Sequence, residues 1–337
     1  MENHAYDQII GSPSAPYINS LGSRGAVLTS SYAITHPSQP NYFALFSGAT
    51  QGITDDSCHT PGFRSSANLA SELTAVGKTW ASYSESLPSQ GSTTCGSGRY
   101  ARKHNPWFGF RNVPRSSAKT FAQFPTVYAR LPTVSFVIPN LCSDMHDCPV
   151  STGDTWLQKH LGAYAAWAKT HNSLLVVTFD EDNKHSKNKI ATVLYGQPVA
   201  AGSRSATRYD HYDVLRTIED MYGTSHAGHA ATASDITGIW ASRARVRLQT
   251  AAVPGPRSMP SGLGPVRHLL GAFDRCPVAL PSYRAEQVSS GSVLMVRGQG
   301  RHGGRTAIAE TAALLGERSA DPTTPGGQPG AGSGGST

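Results

Sequence analysis

The residues best suited to chemistry include two adjacent acids, Asp180 and Glu181, which follow the apolar, β-branched run Leu174–Thr178. Such a run predicts a buried strand, and open α/β sheets bind their ligands at the carboxyl ends of strands. Two neighbouring carboxylates repel each other unless a cation lies between them. The pattern therefore indicates either a divalent metal site or, as the plainer alternative, solvated turn residues.

Ser38 stands between Pro37 and Pro40, directly before a run with helical spacing. The prolines favour a turn into the first turn of a helix, so Ser38 is expected at or near the N-cap. A hydroxyl there lies at the positive end of the helix dipole, which favours an alkoxide and a bound phosphate. Asn41 could direct its amide at the same anion. Ser38 is thus a candidate nucleophile, although a serine before a helix is often only a cap.

Polar loops place histidines beside charged side chains at Lys103-His104, His146-Asp147 and Asp210-His211. A histidine held next to a carboxylate suits general acid–base catalysis. The His146 loop also contains Asp144 and lies between Cys142 and Cys148, so a disulfide there would stiffen it. Each loop alone could be exposed polar surface, but together with the strand-end acids they indicate a catalytic site.

The cysteines bear on the compartment in which the protein folds. None of the five forms a C-x-x-C pair, so a zinc site is not expected. The four before residue 242 allow three connectivities. We favour Cys142–Cys148, which closes a short loop, together with Cys58–Cys95. Two disulfides would imply an oxidising compartment, and four free thiols in a cytosolic protein are the alternative.

Length and charge limit the classes of protein to consider. A chain of 337 residues can bury one full core or two modest ones, and it contains no apolar stretch long enough to predict a membrane span. The net charge of +7 is concentrated in residues 241–337, which carry 11 arginines, no lysine and 5 acids. A basic tail is a weak indicator of a polyanionic partner, so no specific nucleic acid is expected.

Short apolar runs alternate with helical patterns through residues 1–241. The predicted strands are Ala26–Thr29, Trp80–Tyr83, Thr133–Ile138, Leu174–Thr178 and Ala191–Tyr195. The predicted helices contain Leu69 to Val76, Trp156 to Trp167 with Thr152 or Asp154 as cap, and Val214 to Met221, with a stop at Gly223. The alternation predicts a mostly parallel sheet covered on both faces. Residues 242–337 are rich in Arg, Gly and Pro and are expected to be mostly disordered.

A set of motifs in register resembles one known family. The motifs are Glu2-Asn3-His4, Ala15-Pro16-Tyr17, Thr35-His36-Pro37-Ser38-Gln39-Pro40-Asn41, Lys103-His104-Asn105-Pro106-Trp107, Asp144-Met145-His146-Asp147, Phe179-Asp180-Glu181-Asp182 and His211-Tyr212. In this order they resemble the phosphoesterase family of bacterial acid phosphatases and phospholipases C, and most of all its phosphatidylinositol-3-phosphatases. The family belongs to the alkaline phosphatase superfamily, so the resemblance implies a three-layer α/β/α sandwich over residues 1–241.

The resemblance also implies roles for individual residues. The implied metal ligands are Glu2, Asn3, Ser38, Asp180 and Glu181, with Ser38 also as nucleophile. The implied catalytic histidines are His104, His146 and His211, and the implied substrate contacts are Asn41, Lys103 and Asp147. Such an oxygen-rich set suits one divalent cation, Ca²⁺ or Mg²⁺, better than a thiolate-loving ion.

The expected activity is hydrolysis of phosphate monoesters through a phosphoserine, on a phosphorylated small molecule or a phosphoinositide. A phospholipase C-like phosphodiesterase and an inactive remnant are the alternatives. The resemblance implies a secreted protein, although the polar start of the chain does not predict a signal peptide. It also implies an apolar strand before Glu2, where this sequence has only Met1. For the oligomeric state, we favour a monomer.

Overall fold

The computed structural model describes residues 1–242 and 295–297 of the chain. The α-helices are α1 Tyr6–Ile9, α2 Pro16–Arg24, α3 Ser38–Ser47, α4 Leu69–Ala75, α5 Val150–Ala168 and α6 His211–Tyr222. The strands are β1 Ala26–Tyr32, β2 Trp80–Ser84, β3 Gly96–Ser97, β4 Tyr100–Ala101, β5 Ala118–Thr120, β6 Val134–Ile138, β7 Ser173–Thr178, β8 Lys189–Gly196, β9 Ser203–Ser205, β10 Tyr209–Asp210 and β11 Met295–Arg297. Short 3₁₀ turns lie at Arg102–His104, Pro106–Gly109, Arg115–Ser117, Phe121–Gln123, Tyr128–Arg130 and Gly228–Ala231.

The main sheet has the strand order β10-β1-β8-β7-β11-β6-β2-β5, with β9 also paired to β1. Only β8 and β11 run antiparallel to their neighbours in the part of the chain described here. The other strands of this sheet all run in one direction. The prediction of a mostly parallel sheet is therefore confirmed. Strands such as β6 and β7 are apolar along most of their length because both of their faces are covered.

Helices cover both faces of this sheet and enclose two separate apolar cores. One core packs Phe46 of α3, Leu73 of α4 and Leu215 of α6 against the sheet. The other core packs Leu21 of α2 and Leu161 of α5 against the opposite face. This arrangement confirms the expected three-layer α/β/α sandwich, in which each helix buries one apolar stripe on the sheet.

β11 lies in the middle of the sheet although its residues belong to the Arg-rich tail. Met295 pairs with Ser135 of β6 on one side and with Leu175 of β7 on the other. No strand was predicted there, because three residues in a segment of poor periodicity carry no local signal. The remainder of the tail that we expected to be disordered lies outside the described residues.

The disulfides and the cap of α5 were both predicted from the sequence, with different outcomes. Both expected disulfides, Cys58–Cys95 and Cys142–Cys148, are present. The expected cap of α5 is wrong, since that helix begins at Val150 directly after Pro149. Asp154 instead accepts hydrogen bonds from the backbone N–H groups of Tyr17 at 2.9 Å and Ile18 at 2.8 Å. It therefore caps α2 across space, a role that local sequence cannot reveal.

Within residues 1–242, no helix combines the length and the apolar character that a membrane span requires.

Candidate active site

Ser38 is the first residue of α3, as its position between two prolines predicted. Its Oγ lies 3.1 Å from Glu2 Oε2 and 3.4 Å from Glu181 Oε1. One O–H serves only one acceptor at a time, so the proton can be directed to either carboxylate. The side chain is buried. A hydroxyl at a helix start, held by two carboxylates, is positioned for use as a nucleophile once its proton is accepted.

The N-terminal residues lie along the end of β7 and bring Glu2 to the site. The amino group of Met1 donates to Thr178 O at 3.2 Å, and Met1 O accepts from Asp180 N at 3.1 Å. This alternation of bonds is that of a parallel strand pair. Glu2 N then donates to Asp144 O at 2.8 Å. The backbone on both sides therefore fixes the Glu2 carboxylate at the start of α3.

Buried carboxylates crowd this region: Glu2, Asp144, Asp180 and Glu181. Burial, with the charges of Asp180 and Asp144, raises the pKa of Glu2 well above its usual range. Burial and the charge of Asp180 likewise raise the pKa of Glu181 to about 8. Desolvation and mutual repulsion both oppose the ionised forms. A cation bound at the cluster would favour the ionised forms of these carboxyl groups.

Two unpaired oxygens test whether the residues fit such a cation. Asn3 Oδ1 and Asp180 Oδ2 are buried and have no hydrogen-bond partner among the described residues. Asn3 N also donates to Asp180 Oδ1 at 3.2 Å, so these two residues are adjacent. A buried oxygen without a partner is costly unless something binds it. Carboxylate and amide oxygens are the ligands that Ca²⁺ and Mg²⁺ prefer, so the donor set fits a hard divalent cation.

His104 is buried between two of the carboxylates. Its Nε2 lies 3.4 Å from Glu2 Oε1, and its Nδ1 lies 3.4 Å from Asp144 Oδ2. The ring stacks on Tyr42, whose hydroxyl donates to Glu2 Oε1. Burial lowers the pKa of His104 to about 3, so the imidazole is neutral. The ligand atoms of Glu2, His104 and Asp144 lie within 4.8 Å of one another and could also hold a metal ion.

Sequence reasoning missed three residues that this structure places in the site. The sequence places Asp144 in the loop between Cys142 and Cys148 without indicating a role for it, and it indicates only helical spacing for Tyr42. His36 also had no assigned role, yet its Nδ1 lies 2.7 Å from Glu181 Oε2 and its Nε2 lies 3.2 Å from Asp182 Oδ1. The available signal was proximity in sequence, since His36 precedes the candidate nucleophile by two residues.

The side-chain amide of Asn41 makes its hydrogen bonds to the backbone before and at the start of α3. Its Oδ1 accepts from the backbone N–H groups of Ile34 at 3.0 Å and Thr35 at 3.1 Å. Its Nδ2 donates to Thr35 O at 2.8 Å and Pro37 O at 3.2 Å. The amide therefore braces the loop that leads into α3, and the expected substrate contact would require these bonds to change.

His146 and Asp147 form an exposed pair at the rim of the site. His146 Nδ1 lies 2.6 Å from Asp147 Oδ1, and the imidazole is 28% exposed. Its ring centroid lies 6.3 Å from that of His104. His146 N also donates to Asp144 Oδ1 at 2.9 Å. The disulfide-closed loop thus presents one solvent-accessible histidine beside one buried histidine.

Lys103, expected to contact substrate, and His211, expected to be catalytic, each contact another part of the protein. Lys103 Nζ lies 2.7 Å from Asp56 Oδ2, and Asp56 Oδ1 accepts from Gln39 N at 2.9 Å. His211 is buried at the start of α6, with its Nε2 2.8 Å from Asp180 O. His211 therefore orients the backbone of a candidate metal ligand, while Lys103 is tied to the first turn of α3.

Comparison of the sequence with known proteins identifies a matching family. The profile of the family described as "Phosphoesterase family" matches residues 8–225. A phosphatidylinositol-3-phosphatase from Mycobacterium tuberculosis is 51% identical over 241 residues, which cover 71% of this chain and 80% of the relative. An acid phosphatase from Aspergillus fumigatus is 31% identical over 66% of this chain and 54% of its own length. The chain therefore spans most of the mycobacterial relative but about half of the fungal one.

Among solved structures, one similar chain is described as a protein in the alkaline phosphatase superfamily from Vibrio parahaemolyticus. It has a TM-score of 0.49 and 12% identity, and the match covers 70% of this chain and 67% of that one.

Proposed function

This chain belongs to the phosphoesterase family, and on that premise we propose that it is a phosphoric monoester hydrolase of the acid phosphatase type. The observation that carries the proposal is Ser38, whose Oγ lies at a helix start and within 3.4 Å of both Glu2 and Glu181. Helix starts bind phosphate, and a hydroxyl beside carboxylates can be deprotonated. Transfer of a phosphoryl group to a serine can use both features.

The proposed reaction has two displacements at phosphorus. In the first, Ser38 Oγ bonds to phosphorus while the bond to the leaving alcohol breaks, and the serine proton passes to a neighbouring carboxylate. A histidine gives a proton to the leaving oxygen. In the second, the histidine accepts a proton from the attacking water, the water oxygen bonds to phosphorus and the bond to Ser38 breaks. The carboxylate then returns its proton to Ser38 Oγ, and inorganic phosphate is released. Positioning and charge stabilisation supply most of the acceleration in such transfers.

Five residues would hold one divalent cation, Ca²⁺ or Mg²⁺: Glu2, Asn3, Ser38, Asp180 and Glu181. When bound, this ion would lower the pKa of the serine hydroxyl and neutralise phosphate charge. The two unpaired oxygens, Asn3 Oδ1 and Asp180 Oδ2, support this assignment. Asp144 and His104 then support the ligand Glu2 from its other side, through a backbone bond and a side-chain contact.

We assign the proton donation to His146. Its exposed imidazole is held through Nδ1 by Asp147. Nε2 is then available to protonate the leaving oxygen of a substrate that enters from solvent. His104 is instead buried and neutral, and that character suits a hydrogen-bonding or positioning role. His211 acts through the backbone of Asp180.

The substrate class follows from the relatives. One of them is named for a phosphatidylinositol 3-phosphate and another is an acid phosphatase, so we propose phosphoinositides or small phosphate monoesters as substrates. We also propose a secreted monomer. Two disulfides support the secretion, because they form and persist in oxidising compartments.

The test is hydrolysis of a chromogenic phosphate monoester from acid to mildly alkaline pH, with chelator or with added Ca²⁺ or Mg²⁺. Ser38→Ala should lower kcat by about three orders of magnitude or more, since it removes the nucleophile. Ser47→Ala is the matched control, because Ser47 lies at the other end of α3 and donates to Phe43 O. Equal activity in Ser38→Ala and wild type would reject the proposal. Hydrolysis of a diester but not a monoester would favour the phosphodiesterase alternative.

A further inference from the structure

A buried pair of carboxyl groups lies between the packed helices α4 and α6, apart from the catalytic cluster, and the Glu72 and Glu219 side chains are within hydrogen-bonding reach of each other. Glu72 of α4 is 4% exposed and Glu219 of α6 is fully buried. Glu72 Oε1 accepts from Ser225 Oγ at 3.2 Å, and Glu219 Oε1 accepts from Ala227 N at 2.9 Å. Both Oε2 atoms are buried and lack a donor among the described residues. Each carboxyl group is thus held on one side and unpaired on the other.

We propose that Glu72 and Glu219 share one proton, and that this proton acts as a pH-sensitive clamp between α4 and α6. With a proton on one carboxyl group, its O–H donates to the other, and the two unpaired oxygens satisfy each other. Without it, two buried negative charges face each other, which desolvation and repulsion both oppose. The shared hydrogen bond therefore holds α4 and α6 together in acid and is lost in alkaline solution.

Among the nearby charged groups, His226 favours the ionised form of Glu72, but it is itself paired with Asp220. On α6, Asp220 is itself paired with Arg216 at 2.7 Å and with His226 at 2.8 Å. α3, which packs against α6, carries no Asp, Glu, Lys, Arg or His between its first and last residues. His229, in the short turn packed on α6, contacts Tyr212. Burial is the largest cause that raises the pKa of both carboxyl groups, and their mutual interaction contributes to the rise for Glu219.

Backbone hydrogen bonds connect the region of this pair to α3, the helix that begins with Ser38. Glu219 O accepts from Thr224 N at 3.1 Å, and His229 N of the segment that follows donates to Gly48 O at 2.7 Å. Gly48 caps the far end of α3, whose first residue is Ser38. Loss of the shared proton would therefore loosen the layer formed by α3, α4 and α6.

The sign of the effect on stability follows from the raised pKa values. A carboxyl group with a higher pKa in the folded state binds its proton more tightly there than in the unfolded chain. Its stabilisation is complete below the ordinary glutamate pKa of 4.5 and is lost as pH rises through the folded value. The melting temperature should therefore fall from about pH 5 to about pH 9.

The experiment is thermal unfolding of wild type, Glu219→Gln and Glu72→Gln across this range. In either variant the glutamine amide donates permanently to the remaining carboxylate, so the fall in Tm should be smaller than that of wild type by more than about 4 °C. Asp235→Asn, which removes one exposed carboxylate, should keep the wild-type slope. Using both glutamine variants keeps the test valid if one does not fold.

Two outcomes would overturn the proposal. One is a parallel decline of Tm in wild type and in the glutamine variants. The other is a stabilisation of wild type by added Ca²⁺ at alkaline pH that Glu219→Gln lacks, which would show that the pair binds a cation rather than a proton. The readout is independent of catalysis, so it does not depend on the proposed function.

Discussion

Ser38 and Glu2 are 36 residues apart in the sequence, yet Ser38 Oγ lies 3.1 Å from Glu2 Oε2. The contact joins the start of α3 to the N-terminal segment, which lies beside the carboxyl end of β7. The fold itself therefore makes the candidate nucleophile and a candidate metal ligand neighbours. Such preorganisation reduces the reorganisation that a reaction would otherwise require.

Removal of the Asn3 amide should weaken cation binding. Asn3 has a backbone φ of 50°, a conformation that glycine adopts without strain, so Asn3→Gly removes the side-chain oxygen and keeps the chain path. We expect the affinity for Mg²⁺ or Ca²⁺ to fall about tenfold or more, by calorimetric titration of chelator-treated protein. Asn3→Asp, which restores an oxygen at this position, is the control. An unchanged affinity in Asn3→Gly would remove Asn3 from the ligand set.

Replacing His146 and replacing His104 should lower kcat in different ways as the leaving group of the substrate changes. If His146 protonates the leaving oxygen, His146→Gln should lower kcat by about 10²–10⁴ for an alkyl phosphate and much less for a nitrophenyl phosphate. The reason is that a nitrophenolate leaves without a proton. His104→Gln should affect both substrates equally, because a neutral, buried imidazole does not supply that proton. The ratio of kcat values for the two substrates measures the difference, and the reverse pattern would exchange the two roles.

The two disulfides should separate stability from catalysis. Replacing Cys142 and Cys148 by serine opens a short loop and should cost about 2 kcal/mol of unfolding free energy in the loop-entropy description. It should also lower activity, because Asp144 in that loop accepts the backbone N–H of Glu2.

The matched control replaces Cys58 and Cys95, which close a longer loop with a separation of 37 residues. That loss should cost about 4 kcal/mol but reduce kcat less. Denaturant unfolding and kcat, each measured below the unfolding transition, supply the two readouts. A larger kcat loss in this control than in the short-loop variant would contradict the expectation.

Asp154 should contribute to stability and not to chemistry. Asp154→Ala removes the acceptor for the Tyr17 and Ile18 N–H groups at the start of α2, so we expect a loss of about 1–2 kcal/mol. Activity at moderate temperature should remain near that of wild type. Asp154→Asn keeps one acceptor oxygen and should lose less than the alanine variant. Chemical denaturation of the three proteins gives the comparison, and equal stability of Asp154→Ala and wild type would show that the cap is dispensable.

Local patterns in the sequence predicted most of the sheet and several catalytic candidates. Apolar runs such as those of β6 and β7 are buried on both faces, so their composition alone indicates strands. The stop of α6 at Gly223 follows from its left-handed conformation. The acids after β7 were identifiable because a parallel sheet presents its ligands at the carboxyl ends of its strands.

The tertiary structure alone decided which distant groups meet. Nothing local indicates that Asp154 caps α2, that His36 contacts Glu181, or that Met295 pairs inside the sheet. The same holds for the buried pair Glu72 and Glu219, since each is an ordinary glutamate in its own helix. Periodicity records which face of an element is buried, whereas the partner on that face depends on how the layers pack. The types of chemistry available were therefore present in the sequence, and their pairing and electrostatics were set by packing.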